Sequence, residues 1–210
     1  SDFDGFERCQ SLEVLEIGDT GCSDYTPLGR LKNLKKLSIC NSDCRDISFL
    51  EHLTNLESLR LEKLFIDNFS ALAHLPKLSF LSLNETSVYD ENFPILHELN
   101  TLHFQSNNLP FLFNHSQLFP KIQVLDLSNI YIENLESLFV FPRLTHLTLD
   151  KTPIENVQPL SHWSNLEYLS IKKCTEIKNI ETLQYCKRLK YLDIQETGVE
   201  NVDWLSQLSF

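Results

Sequence analysis

The sequence has no methionine, only five glycines, no Cys-x-x-Cys pair and no excess of basic charge, and each shortage removes a class of protein. Without methionine the chain reads as a processed product or an excised piece of a longer protein. Its opening, Ser1-Asp2-Phe3-Asp4, carries no charged-then-apolar leader, which in such a piece says little about targeting. The longest apolar runs, such as Leu138-Phe139-Val140-Phe141, are far too short to span a bilayer, so no membrane insertion is expected in this segment. Glycines scattered at Gly5, Gly18, Gly21, Gly29 and Gly198 cannot build a phosphate-cradling loop. The six cysteines fit no metal spacing: Cys40 and Cys44 stand four apart but lack a second pair. With 29 acidic against 18 basic residues the net charge is −11. That balance argues against nucleic acid, whose affinity comes largely from Lys and Arg displacing counterions, and favours a partner with a basic surface.

What is present is periodicity. A pattern of Leu-x-x-Leu-x-Leu, with Ile or Phe allowed, opens at Leu12, Leu34, Leu56, Leu78, Leu99, Ile122, Leu144, Leu166 and Leu189. The steps between openings are 22, 22, 22, 21, 23, 22, 22 and 23 residues, and a chance pattern would lose phase within two or three units. Phe3, Phe6 and Cys9 fit the tail of a further unit upstream. Each unit opens with a short strand whose alternate leucines point inward. Later apolar pairs, such as Leu28/Leu31, Leu50/Leu53, Leu72/Leu75 and Leu205/Leu208, roof the core from the other side. One unit cannot bury that face alone, so neighbours must stack with their strands in a parallel sheet. At about 22 residues per unit, the return path has room only for short helical or 3-10 turns.

This pattern resembles the leucine-rich-repeat family, and the resemblance covers nearly the whole chain. The family's small polar residue, three positions after the last strand leucine, falls at Thr20, Ser42, Thr86, Asn107, Thr152, Cys174 and Thr197, with Leu64 and Ile130 as departures. Next come Ile66, Val88, Leu109, Ile132, Ile154 and Val199. The unit length and stretches such as Asp46 to Leu56 look like bacterial internalin repeats, and equally like the phosphatase-regulatory repeats of intracellular proteins. The resemblance implies an α/β solenoid, an arc with a parallel concave sheet and short convex turns, serving protein–protein interaction. No linker interrupts residues 1–210, so one domain is expected. It would belong to a longer protein, because Phe210 falls where a further unit or a cap should begin. The repeat from Leu99 is irregular, and Pro110, Phe111, Phe113, Phe119 and Pro120 predict a distorted convex segment with added aromatic packing.

Cysteine clusters that close the ends of extracellular repeat domains are missing. The cysteines therefore read as buried, reduced small hydrophobes, which favours a cytoplasmic setting (a host cytoplasm for a delivered bacterial effector), with a bacterial surface or secretion as the alternative. Cys22 and Cys44 sit at equivalent positions of adjacent repeats, near disulfide distance, although two stacked reduced thiols explain them as well. Sequons at Asn68, Asn84 and Asn114 are no more than composition alone supplies.

The register also identifies what faces solvent. Positions two, four and six after each opening leucine project from the expected concave face. The first column carries the large rings Phe80, His146, Tyr168 and Tyr191. Asp126, Asp150, Lys172 and Asp193 supply neighbouring charge, and aromatic anchors beside charges are what protein interfaces favour. A plainer reading makes Tyr168 and Tyr191 a cross-strand pair that covers the sheet. His103 beside Asp126, with His146 a strand further, has the residue types of a general base or a metal site. No nucleophile joins them, however, and an open sheet does not exclude water. The candidate partner-binding set is therefore Phe80, His103, Asp126, His146, Asp150, Tyr168, Lys172, Tyr191 and Asp193, with no catalytic residue, metal or cofactor expected. The recognition half of a larger enzyme or effector and a structural spacer are the rival settings.

Overall fold

A computed structural model of the chain describes residues 3, 5–88, 92–106 and 108–208. Two residues singled out by the repeat, Asn107 and Phe210, lie outside the described residues. The chain folds as two compact units, residues 1–121 and 122–210.

In the first unit the repeat leucines open strands β1 (Val14–Gly18), β2 (Lys36–Cys40), β3 (Ser58–Glu62), β4 (Phe80–Ser82) and β5 (Thr101–His103). Each pairs in parallel with the next, and the register is the one the repeat dictates: Val14 opposite Lys36, Ser58 opposite Phe80, Phe80 opposite Thr101. The second unit repeats the plan with β6 (Val124–Asp126), β7 (His146–Thr148), β8 (Tyr168–Ser170) and β9 (Tyr191–Asp193), again parallel and in sequence order. The returns are 3-10 turns such as Thr26–Arg30, Ser48–His52, Gln158–His162 and Ile180–Tyr185. Several of these turns begin with an Asp or Asn side chain accepting from the backbone two residues on: Asp24 to Thr26, Asp46 to Ser48, Asn68 to Ser70, Asn156 to Gln158. This α/β solenoid architecture follows the expectation from the sequence.

The core of each unit is a stack of equivalent side chains. Leu37, Leu59, Leu81 and Leu102 are buried in the first unit, Leu125, Leu147 and Leu169 in the second. Burying each such leucine contributes roughly 1.5–3 kcal/mol. Leu192, expected to fill the core like Leu169, is only half-buried, because no described strand stacks on the far side of β9. The irregular repeat gives the α-helix α1 (Leu109–Asn114), capped by Asn108, whose side chain accepts from Phe111 N. Its aromatic packing is as expected: Phe93 meets Phe69, Phe111 and Phe119 with ring centroids 5.2, 5.4 and 5.6 Å away.

Beyond the strand, among the described residues, eight repeats place a non-glycine residue at positive φ: Asp19, Asn41, Lys63, Glu85, Asn129, Lys151, Lys173 and Glu196. A left-handed backbone costs such residues roughly 1 kcal/mol each. The bend is held by the next repeat: Lys63 N donates to Asn84 O, Asn129 N to Asp150 O and Lys173 N to Gln195 O. The small polar residue then holds the strand end: Thr152 donates to Leu149 O at 2.6 Å and Thr197 to Ile194 O at 2.7 Å within their own turns, and Cys174 donates back to Leu149 O of the preceding repeat at 3.0 Å. Where Leu64 replaces it, Thr86 of the next repeat serves both, donating to Leu61 O and accepting from Leu64 N. Ser42 departs from the expectation, for its hydroxyl is buried with no hydrogen-bond partner among the described residues.

All six thiols are free, and Cys22, Cys44, Cys174 and Cys186 are buried. Burial, then Asp46 and Cys22, push the Cys44 thiol up to about 12, and burial alone takes Cys186 to about 11. Under native conditions at pH 8, a thiol reagent is therefore expected to label Cys9 and Cys40 first and to reach the buried four only after denaturation. Rapid native labelling of Cys44 would contradict this burial. Replacing Leu169 with Ala should cost roughly 2–5 kcal/mol in denaturant unfolding, and replacing the half-buried Leu192 under about 2 kcal/mol.

Candidate functional site

The outward side of each unit's sheet carries the residues expected to bind. In the first unit, Phe80 opens β4 and His103 ends β5. Their rings meet edge to face at 4.9 Å between centroids. The Arg60 guanidinium of β3 lies 4.9 Å from the Phe80 centroid, a cation on the negative face of the ring. Glu62, which follows on β3, is 3.8 Å from Arg60 and accepts from the Ser82 hydroxyl at 2.5 Å.

In the second unit, His146, Tyr168 and Tyr191 open three consecutive strands, and the parallel register puts their rings side by side. His146 stacks on Tyr168 at 5.6 Å and 17°, and Tyr168 on Tyr191 at 4.4 Å and 2°. The result is a ladder of three near-parallel rings. The Thr145 hydroxyl sits 2.9 Å from His146 Nδ1. Behind the ladder Lys190 bonds Glu167 at 2.8 Å and holds that carboxyl below the usual range.

Three carboxylates stand beside the ladder, each pinned by backbone. Asp126 accepts from Ser128 N and Oγ at 2.9 and 2.6 Å. Asp150 accepts from Ser170 Oγ at 2.5 Å and Lys172 N at 2.9 Å, and Asp193 from Gln195 N at 2.9 Å. These bonds fix where the negative charge points. The Tyr168 phenol is raised above its ordinary value, first by burial, then by the charge of Tyr191 and a hydrogen bond with it, then by Asp150 and Asp193.

His103 belongs to the first unit and rests on Phe80, whereas Asp126 and His146 belong to the second and are held by Ser128 and by Tyr168. No group of three His, Cys, Asp or Glu residues able to hold a metal ion occurs among the described residues. Ser82, Ser128 and Ser170, placed by the register among solvent-facing positions, are buried. Each is bonded to a nearby carboxylate, for Glu62, Asp126 and Asp150 accept hydrogen bonds from the hydroxyls of Ser82, Ser128 and Ser170. Arg60 was not singled out in the sequence, although a basic residue diagonal to Phe80 on the adjacent strand is within reach of its ring. Another feature also went unread. The two departures, Leu64 and Ile130, are each followed by an exposed aromatic, Phe65 and Tyr131. Tyr131 lines a groove of 710 Å³ in the second unit, with Glu133, Pro153 and Glu155.

The repeat, the parallel strands and the turns together define a leucine-rich-repeat fold. Among solved structures, the chain is similar to the internalin inlF of Listeria monocytogenes, with 23% identity and a TM-score of 0.69, covering 99% of this chain and 61% of that one. It is similar also to the internalin inlC2 of the same organism, with 22% identity, TM-score 0.53 and coverage of 91% and 75%. A leucine-rich-repeat protein of Leptospira interrogans matches at 21% identity and TM-score 0.64, over 90% of this chain and 50% of that one. At such identities the likeness is one of fold. The chain spans about three fifths of the length of the first internalin. No protein-family model matches the sequence, and no curated protein matches it. No helix among the described residues is long and apolar enough to cross a membrane.

The phenol titration offers a direct check on this electrostatic arrangement. Subtracting the alkaline difference spectrum of Tyr168→Phe from that of the parent should isolate a phenol ionising above the ordinary range. Asp193→Asn should move it down, since a neighbouring negative charge opposes phenolate formation. An unchanged titration would mean that the carboxylate does not act on the ring.

Proposed function

We propose that this chain is a protein-interaction module, not an enzyme, and that it binds its partner on the outward sheet face that the repeat register predicts to be concave. The observation that carries this reading is the His146–Tyr168–Tyr191 ladder, three large stacked rings on a sheet face, with Tyr191 47% exposed. A ring stacked on both sides has already lost much of its rotamer freedom, so a partner that covers it gains area at little further entropic cost. Phe80 with His103, and the charged Asp126, Asp150, Lys172 and Asp193, complete the proposed surface.

Open sheet faces suit binding better than catalysis, because water is not excluded and titratable groups do not converge on one point. The carboxylates near the ladder are pinned in place by backbone and serine donors, which suits them to recognition by fixed charge.

The test compares variants by affinity capture and by melting. Tyr168→Ala and Tyr191→Ala should melt within a few degrees of the parent and weaken a captured partner by roughly 1–3 kcal/mol. Tyr131→Ala, on the groove side, should leave that partner bound. Tyr variants that melt normally and bind fully would place the ligand elsewhere.

A further inference from the structure

The two units treat their sheet-face rings differently. In the first, Phe80 already has a guanidinium seated on it, that of Arg60, which Glu62 also attracts. In the second, the ring ladder is flanked by Asp150 and Asp193, and among the described residues no arginine or lysine is seated on its rings. The register gives this face three aspartates, Asp126, Asp150 and Asp193, against one lysine, Lys172. The chain's net charge of −11 adds a long-range attraction for cations.

Resting on the proposed binding face, we infer that the partner presents an arginine-bearing basic segment, one guanidinium of which docks at the Tyr191 end of the ladder, on the ring face that Tyr168 does not cover, with its N–H groups toward Asp193 and Asp150. Guanidinium is the group this arrangement suits. It is planar, it stacks on aromatic rings, and its fork of donors meets carboxylates whose direction is already set. The first unit shows the same pairing made within the chain, with Arg60 between the Phe80 ring and the Glu62 carboxylate. The second unit has the ring and carboxylate half of that pairing, and the partner supplies the cation. Asp150 and Asp193 are suited to the task because their bonds to Lys172 N and Gln195 N use one oxygen each and come from neutral backbone, leaving the charge uncompensated.

The probe is a blocked peptide of alternating arginine and serine, ten residues long, with lysine and glutamine versions as comparisons. Binding is measured by calorimetry, and its position by amide shift mapping on the isotopically labelled protein. Shifts should centre on residues 148–150, 168–172 and 191–195, with the arginine peptide binding more tightly than the lysine one and the glutamine one not at all. The double variant Asp150→Asn/Asp193→Asn, which keeps the acceptor oxygens, should weaken the arginine peptide at least tenfold. The remote pair Glu133→Gln/Glu155→Gln should change it less than twofold. Equal loss from both pairs, equal binding of the lysine peptide, or shifts spread over other faces would overturn the assignment and leave only diffuse attraction to an acidic protein. The ladder itself is tested separately. If Tyr168→Ala and Tyr191→Ala lose the captured partner while the arginine peptide ignores this face, the binding reading stands and the arginine assignment falls. If neither effect appears, both fall.

Discussion

Everything in this chain depends on a repeat being unable to satisfy itself. Within a unit, the inward leucines of a strand and the carbonyl just before it find their partners in the neighbouring repeat. Lys35 N and Lys36 N both donate to Glu13 O, Glu57 N and Ser58 N to Lys35 O, Glu167 N and Tyr168 N to Thr145 O. Parallel pairing with a 22-residue offset is therefore the only geometry that serves the backbone and the leucine stack together. Short 3-10 returns follow, since the residues left between strands cannot form longer helices.

That dependence explains which parts were legible in advance. Inward and outward positions alternate by covalent geometry, so Leu147, Leu169 and the ring positions at His146, Tyr168 and Tyr191 could be placed from spacing alone. Their stacking was legible too, because equivalent positions in adjacent repeats must be neighbours. The burial of Ser82, Ser128 and Ser170 was not legible, because it depends on which way a nearby carboxylate turns rather than on register. The half-exposure of Leu192 likewise reflects what stacks beyond a strand, a property of the neighbour and not of the residue. Arg60 went unnoticed because the columns were read along single positions, whereas its contact with Phe80 runs diagonally.

The sheet face and the turns divide labour within each repeat. Turn residues are chosen for backbone geometry: an Asp or Asn to start the 3-10 segment, a Thr or Cys to close the strand end. The first column of sheet-face residues answers to no such demand, and this is where the repeats differ most, from Val14 and Lys36 through Phe80 to Tyr168 and Tyr191. Identity that the scaffold does not require is the identity available for recognition, which fits the placing of the rings there.

The left-handed residues that end the strands carry a consequence for how the array comes apart. Lys173 keeps its strained backbone only while Gln195 O accepts its N–H, and Lys151 depends in the same way on Lys172 O. Peeling away one repeat frees the joint before it to relax into an ordinary conformation, which in turn misplaces the strand that its predecessor needs. Within a unit, an intact neighbour holds the joint closed, and a lost neighbour releases the next joint in line, so repeats tend to come undone in succession rather than singly.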